Sequence, residues 1–156
     1  MGLRADNGVN EHGSHVSVTA DYVQIARFGE FFPRVFAYAH SLTGDEAAAR
    51  EVAAEAFSST FDHPKALNDD DFVLLLFSTA GEICRAQMAN EGASGSLSPR
   101  ERELLALVFD ARLSREKVRR LMRTTEEALS STLMRALRKI QESMKPAAAR
   151  KFLRSA

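Results

Sequence analysis

The chain has 156 residues, 45% of them hydrophobic, with 21 basic and 21 acidic side chains and a single cysteine, Cys84. That supports a buried core in one ordinary domain or two small ones, and it excludes an internal disulfide and a multi-cysteine zinc site. No apolar run approaches the length of about eighteen residues that a bilayer-spanning helix needs, and the N-terminus lacks a basic patch followed by an apolar stretch, so a cytoplasmic protein is expected.

The zero net charge conceals a polarity along the chain. Met1–Gly92 carries 6 Lys/Arg against 14 Asp/Glu, and Ala93–Ala156 carries 15 against 7, so the halves are close to −8 and +8. A basic half suits a polyanion and an acidic half does not. The plainer alternative is that both are solvated faces of a helical protein.

Residues 1–18 mix Gly, Asn, Ser and His without apolar periodicity, and an irregular arm is expected. His12 and His15 supply only two ligands where zinc takes three or four, so no metal is expected there. From Tyr22 onward, Ile25, Phe28, Phe31, Phe32, Val35, Phe36, Ala39 and Leu42 recur at spacings of three and four, the period of an amphipathic helix. Pro33 predicts a kink or break, and Gly44 a left-handed helix end. Asp45 is placed to cap a second helix, with Ala49, Val52, Ala53, Ala56, Phe57, Thr60 and Phe61 inward, ended by His63 and Pro64. Asp69, Asp70 and Asp71 favour the start of a third, with Phe72, Leu75, Leu76, Thr79, Ala80, Ile83 and Cys84 inward. The run FVLLLF could be a strand, but no second strand candidate exists to pair with it.

Residues 91–97 form a short Gly/Ser linker where the charge changes sign. Beyond it, Ser98, Pro99 and Glu101 have capping-box spacing ahead of Leu104, Leu105, Leu107 and Val108. Ser114 caps a short helix with Val118 and Leu121 inward, and Thr124 or Thr125 caps a longer one with Leu129, Leu133, Ala136, Leu137, Ile140 and Met144 inward. The expected fold is all-α, with six main helices in two small domains, residues 19–90 and 98–144, followed by a basic tail at 145–156. Cys84 reads as an inert buried thiol, and His40 and His63 as locally satisfied side chains. No carboxylate pair, activated nucleophile or glycine-rich phosphate loop occurs, so neither catalysis nor a cofactor is expected.

The stretches FFPRVFAYAHSLTGDEAAAREVAAEAF, LSPRERELLALVF and LSREKVRRLMRTTEEALSSTLMRAL occur in the order of two conserved regions of a known family. In them the chain resembles the two-domain RNA polymerase sigma factors of the extracytoplasmic-function type, over about residues 26–144. The resemblance implies a region 2-like three-helix domain that docks on RNA polymerase core, at Glu51, Val52 and Glu55. It also implies a region 4-like helix-turn-helix that binds double-stranded promoter DNA, with an anti-sigma factor as a possible regulator. In the second domain, Arg115, Lys117, Arg119, Arg120, Arg123, Arg135, Arg138 and Lys139 are candidates for phosphate neutralisation, and Thr125, Glu127, Ser130 and Ser131 for the base-facing front of the last helix.

The chain departs from the family in three places. Arg123 and Arg119 stand where a turn glycine and a small residue are usual. The front of the last helix is poorer in Lys and Arg. Around Val73–Asn90, where single-stranded promoter DNA would be held, the sequence offers Phe72, Phe77 and Arg85 in place of a tryptophan and several arginines. An alternative reading is a sigma mimic that binds an anti-sigma or other regulator without starting transcription.

Overall fold

A computed structural model describes residues 12–88 and 95–145, with the side chains of 12–17 outside the description. The chain order is α1 (His12–Thr43), α2 (Glu46–Phe61), α3 (Asp69–Met88), α4 (Pro99–Leu105), a π-helical turn (Ala106–Asp110), α5 (Arg115–Met122) and α6 (Glu126–Met144). The fold is all-helical, with no strand among the described residues. No helix there is long and apolar enough to cross a membrane. The expected irregular arm lies outside the description up to residue 11, and from His12 the chain is already helical.

Local signals set most boundaries. Asp45 accepts the N–H of Ala48 at 2.9 Å and starts α2, while Gly44 takes φ +69°. Ser98 and Glu101 form a complete capping box with Pro99 in the first turn of α4. Ser114 and Thr125 cap α5 and α6 through the N–H groups of Lys117 and Ala128. Pro33, by contrast, does not break α1, which runs unbroken for 32 residues. The carbonyl deprived of its donor belongs to Gly29, an exposed residue with open space where a Cβ would stand, so water can take the lost bond.

The acidic half packs as α1, α2 and α3 around Val35, Tyr38, Ala39, Val52, Ala56, Phe57, Leu76 and Phe77. The same buried cluster continues through Leu104, Leu107, Leu113 and Val118 to Leu129, so the two halves share an apolar interior. Polar contacts fasten them together. Arg34 donates through Nε to the carbonyl of Ala111 at 2.7 Å and through Nη2 to that of Arg112 at 3.2 Å. Ser41 Oγ lies 2.6 Å from Asp110 Oδ2, and Arg85 Nη1 lies 2.6 Å from Glu103 Oε1. The π-helical turn places these acceptors: the N–H of Ala111 reaches back five residues to Ala106, and Arg112 takes φ +54°.

On α3 the buried stripe is rotated from the expected one. Val73, Phe77 and Gly81 are buried, while Leu75, Thr79 and Ile83 are only half-buried. The cause is Tyr38 of α1, whose ring meets Phe77 edge-on at 5.7 Å and whose hydroxyl stands 3.0 Å from the position of a Cβ on Gly81. Tyr38 is fully buried and its hydroxyl has no hydrogen-bond partner among the described residues. Burial pushes its ionisation far upward, so it stays a neutral phenol. An unsatisfied buried hydroxyl costs stability, so Tyr38→Phe is expected to stabilise the protein by about 1 kcal/mol in urea unfolding. Gly81→Ala alone collides with that hydroxyl and destabilises; combined with Tyr38→Phe its sign reverses, because alanine is the better helix former by about 1 kcal/mol.

Candidate nucleic-acid interface

α5 and α6 are joined through Arg123, which takes the left-handed conformation at φ 49° and ψ 54°. Its N–H reaches the carbonyl of Arg120, and the N–H of Thr124 reaches that of Arg119 at 3.1 Å, which closes the end of α5. A non-glycine residue in this conformation costs on the order of 1 kcal/mol. Val118, Met122 and Leu129 are buried between the helices, with Leu121 and Leu133 packed against them. Arg100 of α4 donates to the carbonyl of Met122 at 3.3 Å, so α4 buttresses the pair from behind.

α6 presents three polar faces with different fates. Glu126 and Ser130 look toward α5, where Arg115 takes both: its Nε lies 2.7 Å from Glu126 Oε1 and its Nη2 2.6 Å from Ser130 Oγ. Arg135 and Lys139 look toward α4, where Glu101 takes both at 3.1 and 2.8 Å. Glu127, Ser131, Met134 and Arg138, spaced four, three and four apart, are all exposed and form the outward stripe.

The candidate phosphate ligands therefore divide. Arg115, Arg135 and Lys139 are engaged within the basic half. Lys117 crosses to the acidic half, where its Nζ meets Asp70 Oδ1 at 2.9 Å and holds that carboxyl below its ordinary range. Arg119, Arg123 and Arg138 are exposed and form no ion pair among the described residues, and the exposed Arg120 adds its charge to that of Lys117 in lowering Asp70. Thr125 is occupied as the α6 cap, and Ser130 is bound to Arg115. Glu127 and Ser131 remain free to face a ligand.

Glu101 is what sequence reasoning saw only as a capping residue. Its side chain is 3% exposed, yet it carries a full charge, because Lys139, the N–H of Ser98 and Arg135 all donate to it. Those donors bring its ionisation down from an ordinary 4.5 to about 2. The capping box was legible locally. The cations were not, because they lie 34 and 38 residues further on. A carboxyl depressed on folding contributes stability that is complete above its unfolded value and is lost as the pH falls through the folded one. Urea midpoints of the protein are therefore expected to fall between about pH 4.5 and about pH 2. Glu101→Gln flattens that decline and lowers the midpoint at neutral pH, since two cations are then left facing an uncharged amide.

In the acidic half, Val52 is fully buried in the core and cannot meet a partner, contrary to its expected role in docking. Glu51 and Glu55, one turn apart on α2, are both exposed. Phe72 and Phe77 are 2% and 1% exposed, so neither ring can stack on a base, and Arg85 is spent on Glu103.

Comparison with protein families, with curated proteins and with solved structures finds no match for this chain. Fold and surface together define a small all-helical protein with a helical pair whose outward stripe carries Glu127, Ser131, Met134 and Arg138.

Proposed function

We propose that this protein is a sigma-like transcription factor that places α6 in the major groove of promoter duplex and offers the outer face of α2 to RNA polymerase core. The observation that supports this most directly is the outward stripe Glu127, Ser131, Met134 and Arg138 on α6, together with the exposed Arg119 of α5 and Arg123 of the turn that joins the two helices. The major groove admits one helix, and these side chains suit its edges: a glutamate accepts from the cytosine amino group, a serine contacts either kind of base, and a methionine packs on the thymine methyl. The arginines fix position through phosphates. Arg115 sits in an exposed ion pair with Glu126 that opens readily, so it can be traded for phosphate on contact. Such binding is a cytoplasmic, non-enzymatic role.

The test is selection of duplexes from a random pool by the full chain with and without polymerase core, followed by salt titration of the enriched sequence. A sequence-dependent complex that weakens steeply with salt is the expected result, and absence of both DNA and polymerase association rejects the reading.

A second reading has its own support. With Phe72 and Phe77 buried and Arg85 paired with Glu103, the acidic half has little with which to hold melted DNA. A sigma mimic that occupies a regulator without initiating transcription fits those features. Run-off transcription with reconstituted polymerase separates the two, because specific initiation excludes the mimic.

A further inference from the structure

The acidic half contains a groove of about 720 Å³ between the early turns of α1 and the segment joining α2 to α3. That volume lies within the range of small-molecule sites, roughly 300–1,000 Å³. Its walls are mixed, with apolar surface from Val23 on one side and from Phe61, Pro64 and Leu67 on the other, beside polar groups. Although acidic residues outnumber basic ones by 14 to 6 in Met1–Gly92, no acidic residue among the described ones lines the groove, while Arg27, Lys65 and His63 do.

Arg27 is held rigidly and incompletely used. Its guanidinium lies 4.6 Å from the centre of the Phe72 ring, and its Nη2 donates to the carbonyl of Leu67 and to Asp69 Oδ1, each at 2.9 Å. Nε is buried without an acceptor among the described residues, and both of the hydrogen bonds that Arg27 makes there leave from Nη2. Its one carboxylate partner, Asp69, is 90% exposed and competes weakly through water. Lys65 is exposed and pairs with no carboxylate among the described residues, and the ring of His63 is fixed against the backbone of Lys65 at 3.1 Å.

We infer that this groove is a binding site for a small amphipathic anion, a carboxylate borne on an apolar chain or ring. The apolar body lies against Val23, Phe61 and Leu67, and the carboxylate is received by Arg27 Nη1 and the Lys65 ammonium. An uncharged molecule of the same shape leaves both cations unanswered, and a short anion gains nothing from the walls. The site needs neither DNA nor polymerase, so it stands or falls apart from the proposed function.

The experiment is titration of the full-length protein with decanoate, decan-1-ol and butyrate, followed by amide shifts in two-dimensional NMR. Decanoate is expected to bind saturably at one site and to shift the amides of Val23, Lys65, Ala66 and Leu67, while decanol and butyrate bind at least about tenfold more weakly. Lys65→Gln is expected to weaken decanoate by about tenfold, a loss suited to one charge-assisted hydrogen bond. Val23→Glu, at a position 43% exposed and so compatible with folding, sets a carboxylate in the groove and abolishes binding, with circular dichroism confirming the fold. Equal binding of decanol and decanoate, shifts confined to other surfaces, or an unchanged affinity in Lys65→Gln overturns the assignment.

Discussion

Arg119→Glu combined with Arg123→Glu is expected to reduce duplex binding by roughly a hundredfold at moderate salt, and to make the plot of log affinity against log salt shallower by about 2. Both arginines are exposed and bonded to no acid among the described residues, so under the proposed function reversal removes two candidate phosphate contacts and adds repulsion without disturbing packing. Arg135→Gln is the informative contrast. Its guanidinium already serves Glu101, so that change lowers the urea midpoint while moving the salt slope less. Fluorescence anisotropy on one labelled duplex gives the slopes, and denaturation gives the midpoints. Arg123→Gly separates the two properties further. It relieves the left-handed strain of about 1 kcal/mol and should raise stability while weakening DNA binding. If all three variants bind as the parent does, the α5–α6 pair is not the DNA-contacting surface.

Phe77→Ala carries the largest expected stability cost, about 3–5 kcal/mol, because it opens a cavity beneath the fully buried Tyr38 ring. A loss of that size is a large share of the roughly 5–15 kcal/mol that ordinarily separates folded from unfolded. It should also be felt at a distance. The buried cluster runs from Phe31 in α1 to Leu129 in α6, so amides of α5 and α6 are expected to lose protection together with those of α3 in hydrogen exchange. Ile25→Ala, at a residue 68% exposed, should change stability by less than about 0.5 kcal/mol. Protection that survives in α5 and α6 of the Phe77→Ala protein would show the basic half standing alone, as a two-domain organisation requires.

What could be read from the sequence was local. Asp45, Ser98, Ser114 and Thr125 cap the helices they were expected to cap, because a cap needs only its own backbone neighbours. The α2 stripe was equally plain: Ala49, Val52, Ala53, Ala56, Phe57 and Thr60 are buried as expected, and Phe61 partly so. α3 defeated the same reasoning, because it meets α1, α2 and α5 and its heptapeptide DFVLLLF is apolar nearly all round, so periodicity could not choose between Leu75 and Phe77. The candidate interface was legible as a motif and illegible as a charge distribution. Lys117–Asp70 and Arg135–Glu101 are long-range pairs, and no spacing rule announces which arginine will be spent on the protein itself.

The wide turn at Ala106–Asp110 has a bearing on how this molecule can change over time. It holds a surplus residue relative to an ordinary helix, and each residue of helix advances the chain by about 100° of rotation. Removing it would swing α5 around the axis of α4, carry the carbonyls of Ala111 and Arg112 away from Arg34, and part Lys117 from Asp70. The angle at which the α5–α6 pair leaves the rest of the protein is thus a matter of counting. Side-chain replacement can tune what that surface touches, whereas only gain or loss of a codon can re-aim it.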